Sequence, residues 1–198
     1  MFPPFPEDEA LAVCRDMYAQ LQDGILELRE LTKASIERAG QGIMLGSAIC
    51  LDKSGKRIIL KTISGIRNEL RPAPGLHDHD SVYVPPIVGL DAVNAALKAN
   101  DKEIHRLTAD IKGLKALRKR SDGRFENPLE EETQLLCCRA RLTAQSLEKV
   151  YALYSFACAD GKTRSLNSIC GGKLPPTGTG DCAAPKLLHY AFSHGLTP

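Results

Sequence analysis

The stretch that decides the fold is residues 42–66, GIMLGSAICLDKSGKRIILKTISGI. Two apolar, β-prone runs, residues 42–51 and 57–66, flank a short polar linker that contains Gly55. A glycine-bearing turn between two runs of strand length predicts a β-hairpin. Because the run at residues 58–60 (Ile-Ile-Leu) is continuously apolar, we expect this hairpin to be covered on more than one face.

The segments on either side of this hairpin have other patterns. Apolar residues at alternating spacings of three and four predict a helix over residues 7–38, which is weakened where Asp23-Gly24 interrupts it. Residues 67–90 are rich in Pro and Gly, which predicts irregular structure.

The carboxyl-terminal part predicts another hairpin and a last helix. Two short β-prone runs, residues 154–159 and 164–169, flank a turn that contains Gly and indicate the hairpin. The helix is predicted over residues 182–194, with Asp181 or Thr179 as its N-cap.

Residues 91–157 predict a helical insertion. One helix begins at Asp91, a Ser-Asp-Gly break at residues 121–123 ends it, and a second helix follows Asn127-Pro128. Apolar seams on both helices predict an antiparallel αα-hairpin that projects outward. We therefore predict a single α+β domain over residues 1–198, in which antiparallel β-hairpins pack with helices and the long αα-hairpin is inserted.

Charge and hydropathy exclude several classes of protein. The chain has 198 residues with 26 Lys and Arg against 24 Asp and Glu, and its net charge of +2 excludes nucleic-acid binding by bulk charge alone. The longest uncharged run, residues 39–51, is shorter than the roughly 20 residues of a membrane span, so no membrane partner is predicted. The first residues are rich in Pro and acidic side chains, unlike a targeting signal, so we expect a cytoplasmic protein.

Positive charge is concentrated in residues 98–124, which hold nine basic and four acidic residues. Basic residues on one helix can contact phosphates and give salt-sensitive RNA affinity, although an ordinary solvated helix face has the same pattern. The residues that we predict to bind RNA are Lys112, Lys115, Arg118, Lys119, Arg120, Arg124 and, from the carboxyl-terminal loop, Lys186.

A Gly-rich loop at residues 171–180 leads into the last predicted helix. Backbone N–H groups converge at such a junction, where they can hold an anion and favour the thiolate of Cys182. The loop lacks the Gly-Lys-Ser/Thr ending of a P-loop and Asp181 repels phosphate, so a tight loop with an ordinary cap is the alternative. Another segment, His77-Asp78-His79-Asp80, has the residue types of a metal site, but its Pro-flanked context favours a solvated loop.

Two stretches resemble a known family. The first runs from GIMLG at residues 42–46 through LKTISG at 60–65 to VPPIVGL at 84–90, and the second is LPPTGTGDCAAPKLLHYAF at 174–192, followed by HGLTP at 194–198. Both resemble the long N-terminal region of large RluA-type RNA pseudouridine synthases, which isomerise uridine to pseudouridine in RNA. The motif residues that carry the resemblance are Gly178, Gly180, Asp181, Cys182, Pro185 and Lys186.

The resemblance implies an accessory domain that places RNA, either tRNA or rRNA, for a downstream catalytic domain. In that family the catalytic aspartate lies in an Arg-Leu-Asp-type motif, which this sequence lacks. No catalytic residue is therefore predicted, and we expect the chain to be a piece of a longer enzyme or an isolated accessory domain.

A second similarity is to the zinc nucleobase deaminases, in which a Cys or His at a helix start is followed two residues later by a proton-shuttling Glu. Cys182 occupies a comparable position, but Ala184 stands where the Glu would be and no second cysteine pair follows. No cofactor is therefore predicted. Zinc bound through Cys182 and a purely structural interaction module are the alternative hypotheses.

Overall fold

The computed structural model describes residues 7–30, 43–76, 78–120, 130–173, 175–176 and 178–198. These residues form an α+β fold, which confirms the predicted fold class. The chain divides into two compact units, one made of Met1–Leu90 with Tyr154–Pro198 and the other of Asp91–Leu153. In chain order the elements are α1 (Glu7–Gln22), β1 (Leu26–Glu30), β2 (Leu45–Leu51), β3 (Arg57–Ile63), β4 (Asn68–Pro72), β5 (Ser81–Tyr83), α2 (Leu90–Arg120), α3 (Glu130–Tyr151), β6 (Ser155–Ala157), β7 (Thr163–Ser165), α4 (Leu166–Ile169) and α5 (Ala183–Ser193).

A three-stranded sheet, in the order β2-β3-β5, lies at the centre of the first unit. Strands β2 and β3 pair antiparallel from Leu45↔Ile63 to Leu51↔Arg57, which confirms the hairpin predicted from residues 42–66. Strand β5 pairs parallel with the other side of β3. The described residues form two smaller antiparallel sheets as well, β1-β4 and β6-β7. The second of them confirms a hairpin around the turn predicted near Gly161, but residues 166–169, predicted as strand, form helix α4, whose N-cap is Ser165.

Each face of the central sheet packs on a different helix, because side chains along a strand alternate between the faces. Cys50 and Leu60 are buried against Leu187 of α5 on one face. Ile63 is buried with Met17 of α1 on the other. Burial on both faces explains why residues 58–60 of β3 are continuously apolar.

The periodicity predicts that the first helix continues to residue 38, but α1 ends at Gln22. Gly24 has a φ of +70°, a left-handed conformation that ends helices and that other residues avoid. The chain continues as β1, which pairs with β4, so the helical spacing of Leu28 is coincidental. Residues 31–42 lie outside the described part of the chain.

Residues 67–90 contain two strands where their Pro and Gly content predicts irregular structure. Strand β4 has five residues and β5 has three, so both fit between the turns of this segment. Pro72 is the last residue of β4, a position where its missing N–H breaks no ladder inside the strand. The prediction for this segment is wrong because a short strand gives too few alternating residues to be visible in the sequence.

The second unit contains α2, with 31 residues, and α3, with 22. Asn100 on α2 donates a hydrogen bond from Nδ2 to Oγ of Ser146 on α3 at 3.1 Å. Near the other end of α2, Arg118 Nη1 lies 3.3 Å from Oε2 of Glu132 in the first turn of α3. These two contacts place the helices antiparallel. Within the described ranges, no helix combines the length and the apolarity that crossing a membrane requires.

The limits of the predicted insertion differ from those of the second unit. The unit ends at Leu153, and Ser155–Ala157 is strand β6 of the other unit, so the predicted end at residue 157 is too late. Residues 121–129, which include the predicted tip, lie outside the described residues. The connected, projecting hairpin therefore stays a prediction.

Candidate functional site

The family-like motif lies where the amino-terminal end of α5 meets the β2–β3 hairpin. The backbone N–H of Gly65, just after β3, donates to the carbonyl oxygen of Asp181 at 2.8 Å. At Gly46 in β2, a Cβ atom would lie only 2.4 Å from Cβ of Ala183, the first residue of α5. The absence of a side chain at Gly46 therefore lets the helix start rest directly on the strand.

The loop before α5 depends on Gly180. This residue has a φ of +101°, which residues with a side chain rarely adopt. A Cβ atom there would also lie 2.8 Å from a ring carbon of Tyr154. Both the backbone conformation and the close approach of the ring require glycine at this position of the motif.

Lys186 lies in the first turn of α5 and points into the fold. It is 1% exposed, and its Nζ donates hydrogen bonds to the carbonyl oxygens of Ile63, at 2.9 Å, and of Gly65. Burial lowers the pKa of Lys186, and the negative charge of Asp181 opposes that shift. The structure therefore corrects the prediction that Lys186 contacts RNA, because its ammonium group is enclosed by carbonyl groups of the hairpin.

Asp181 and Tyr154 complete the polar group around Lys186. Tyr154 is 1% exposed, and its hydroxyl donates a hydrogen bond to Oδ1 of Asp181. Burial raises the pKa of Asp181, while the Tyr154 hydrogen bond and the charge of Lys186 act in the opposite direction. We refer to Asp181, Lys186 and Tyr154 as the α5 cluster. Its donors and acceptors are directed at one another and at the end of β3, so the cluster attaches α5 to the sheet.

Tyr154 is the first residue of the β-prone run predicted at residues 154–159, and nothing in the sequence places it near the motif. In the structure it follows the end of α3 at Tyr151, and its ring lies beside that of Phe156, at 6.3 Å between ring centroids. The sequence signal that could have indicated the role of Tyr154 is the pair of aromatic residues, Tyr154 and Phe156, just after α3. Such pairs are too common in sequences to identify Tyr154 as the partner of Asp181.

Cys182 occupies the N-cap position of α5, is exposed, and makes no capping hydrogen bond with its side chain. The predicted caps are therefore wrong. The hydroxyl of Thr179 donates to the carbonyl oxygen of Pro176, and Asp181 accepts from Tyr154 instead. In the part of the chain that the structure describes, no group of three or more His, Cys, Asp or Glu side chains is arranged to hold a metal ion.

A second polar cluster, which no sequence motif indicates, lies on the α1 side of the sheet. Lys61 in β3 has a side chain that is 6% exposed, and its Nζ lies 2.8 Å from Oδ2 of Asp78. The hydroxyl of Tyr83 in β5 donates to the same oxygen at 2.9 Å. The predicted solvated loop is thus held to the sheet at Asp78. The sequence does not indicate this ion pair, because lysine and aspartate are usually exposed and nothing local distinguishes Lys61 or Asp78 from surface residues.

The charged form of Asp78 is strongly favoured. Burial alone would raise its pKa, but hydrogen bonds from Lys61, Ser81 and Tyr83 together outweigh burial and hold the pKa at about 2. Burial and the neighbouring carboxylate raise the pKa of Tyr83. The cluster therefore contains one carboxylate and one neutral phenol at neutral pH.

Asp78→Asn is expected to lower the free energy of unfolding by about 1–2 kcal/mol near neutral pH, because the variant loses the charge-assisted bond to Lys61. The pKa of Asp78 is lower in the folded state, so its contribution is complete above the ordinary aspartate pKa and is lost as pH falls towards about 2. Urea unfolding at about pH 7 and about pH 3 should show a smaller difference between the two proteins at acidic pH. The exposed Asp23→Asn serves as the control, and a pH-independent difference would contradict the assignment.

In the second unit, positively charged side chains lie on the carboxyl-terminal half of α2. Lys112, Lys115, Lys119 and Arg120 are exposed, as the RNA prediction requires. Lys112, Lys115 and Lys119 are spaced by three and then four residues, so they are neighbours on the helix surface. We refer to these three as the lysine face. Arg124 lies outside the described residues.

Arg118 has a different environment from its neighbours. Its guanidinium lies against Glu132, whose side chain is only 2% exposed. A carboxylate buried to that extent requires a counter-charge, and removing one member of such a pair is strongly destabilising. The structure therefore gives Arg118 a contact within the second unit, between α2 and α3, which sets it apart from the exposed residues of the RNA prediction.

Comparison with known proteins finds no relative: no protein-family model, no curated protein and no solved structure matches the chain. The resemblance to the pseudouridine synthases thus depends on the sequence motifs alone.

Proposed function

We propose that this protein is an accessory module of an RNA pseudouridine synthase and helps to place RNA for a catalytic domain that lies outside this chain. The motif at residues 174–192 supports the family, and the lysine face supports the RNA contact. The observation that carries the RNA proposal is the exposure of Lys112, Lys115 and Lys119 side by side on α2. In this proposal the α5 cluster stabilises the fold and does not contact RNA, because its polar groups form hydrogen bonds with one another and with the end of β3.

The lysine face differs in its surroundings from Arg106 and Arg118 on the same helix. Arg106 is held by Glu103 and Asp110 on its own helix, and Arg118 is held by Glu132. Among the described residues, no carboxylate lies within ion-pair distance of Lys112, Lys115 or Lys119. Ammonium groups without a carboxylate partner can release counterions from phosphates when RNA binds, which gives affinity that falls as salt is added.

The triple reversal Lys112→Glu, Lys115→Glu and Lys119→Glu is expected to weaken RNA binding by about tenfold or more at low salt. The slope of log K against log salt should become shallower by about two to three, since each lost phosphate contact removes about one counterion. Fluorescence anisotropy with a labelled structured RNA, measured across a salt series, tests both quantities. Arg118 is left unchanged so that the contact between α2 and α3 is preserved.

The matched control carries the same change in charge on exposed lysines of the other unit, Lys53→Glu, Lys162→Glu and Lys173→Glu. This control protein should retain most of the affinity if the lysine face is the contact. Equal losses in both triple variants would show that net charge alone matters. No RNA binding by the wild-type chain would instead favour a structural interaction module.

A further inference from the structure

Among the residues that the structure describes, no strand pairs with most of the outer edge of β2. Backbone groups of successive residues in an antiparallel pair point alternately towards the partner strand and away from it. Leu51 points away from β3, and its N–H and C=O groups bond to Thr197 at 2.8 and 2.9 Å. Ile49, Ser47 and Leu45 are in phase with Leu51. In the described part of the chain, the outward N–H and C=O groups of these three residues have no hydrogen-bond partner.

The contact between Leu51 and Thr197 sets the direction of a strand that would cover this edge. The bridge is antiparallel, so a strand that extends this pairing passes Ile49, then Ser47, then Leu45. Pro198 is compatible with that path, because its missing N–H falls at a position that points away from β2. A residue that precedes Pro also favours the extended conformation, as Thr197 has here.

An apolar hollow lies next to the other end of β2. It has a volume of about 420 Å³, and Leu45 at the start of β2 lines it together with Ile43 and with side chains of α1 and β1, among them Tyr18 and Leu28. Tyr18 is 61% exposed and Ile43 is 42% exposed, so apolar surface is open to solvent there. Side chains directly opposite each other on paired strands lie on the same face. The residue opposite Leu45 would therefore place its side chain at the hollow.

We propose that the outer edge of β2 is a strand-acceptor site, which takes an extended peptide strand antiparallel to β2 with a large apolar side chain opposite Leu45. The unpartnered backbone groups specify a peptide as the occupant, since only another strand offers donors and acceptors at the matching spacing. The bridge to Thr197 fixes its orientation, and the hollow selects its side chain. Main-chain bonds supply the affinity and the pocket supplies the specificity in this mode of recognition.

The test attaches a strand to the full chain. An extension of sequence Val-Thr-Val-Thr-Leu after Pro198 places its first, third and fifth residues opposite Ile49, Ser47 and Leu45. The control extension, Pro-Thr-Pro-Thr-Leu, has the same length. Its two prolines lack the backbone N–H groups that would bond to β2 opposite Ile49 and Ser47. Hydrogen exchange of the Ser47 and Ile49 amides should be slower by about tenfold or more in the first protein than in the control. A third extension that ends in Asp should give less protection, because a carboxylate is disfavoured in the hollow.

Equal exchange rates with the Val-Thr and Pro-Thr extensions would overturn the proposal. Protection that does not depend on the final Leu would overturn the assignment of the hollow. The unextended chain should be monomeric by light scattering and should exchange both amides rapidly. A dimer in which Ser47 and Ile49 are already protected would also overturn the proposal, since a second copy would then occupy the edge.

Discussion

Gly46→Ala is expected to lower the free energy of unfolding by about 2–4 kcal/mol, an unusually large effect for a single methyl group. The new Cβ would lie 2.4 Å from Cβ of Ala183 and 3.4 Å from Cδ1 of Leu187. A Cβ atom cannot rotate away, so relief requires α5 to move off the sheet. That movement would loosen the packing of Leu187 against Cys50 and Leu60. Urea unfolding monitored by circular dichroism measures the change.

A second substitution tests whether the contact between residues 46 and 183 causes the loss of stability. Ala183→Gly removes the opposing methyl group, and the double variant with Gly46→Ala should recover all but about 1 kcal/mol, the usual cost of Gly in a helix. As a control for the substitution itself, Gly113→Ala lies in α2 with open space around it and should be neutral or slightly stabilising. If the double variant loses the sum of the unfolding free energies lost by Gly46→Ala and Ala183→Gly alone, the proposed contact is wrong.

The fold could be predicted from the sequence where the pattern is local and repeated. The hairpin of β2 and β3 and the final helix α5 are both visible, because each has its own turn signal and its own apolar face. The end of α1 is not visible, because the apolar spacing of helix and strand coincides across Gly24. One left-handed residue decides that boundary, and periodicity carries no information about it.

The candidate site is harder to predict, because its contacts join distant parts of the chain. Lys186 and Ile63 are 123 residues apart in sequence, and nothing local distinguishes a buried lysine from a surface one. Arg118 is different. It follows Leu107, Ile111 and Leu114 at helical spacing, so the sequence itself indicates that it lies on the inner face of α2. A count of charges, by contrast, does not distinguish it from the exposed lysines.

Lys186→Met is expected to lower the free energy of unfolding by about 2–4 kcal/mol near neutral pH. Methionine has a similar length and fills the same space, so the main change is the loss of the hydrogen bonds to Ile63 and Gly65. Asp181 would also lose the positive charge that opposes the rise of its pKa. Urea unfolding gives the magnitude, and the exposed Lys173→Met should stay within about 0.5 kcal/mol of the wild type.

The pH dependence of Lys186→Met separates a buried ammonium from a surface one. Burial lowers the pKa of Lys186 in the folded state, so the folded protein releases this proton at a lower pH than the unfolded chain does. The wild type therefore gains stability relative to Lys186→Met as pH rises from the folded pKa towards the ordinary lysine value of about 10.4. The difference between the two proteins should be larger at about pH 10 than at about pH 7. A difference that shrinks over this interval would mean that the fold favours the charged form, and the enclosed position of the ammonium group would then be wrong.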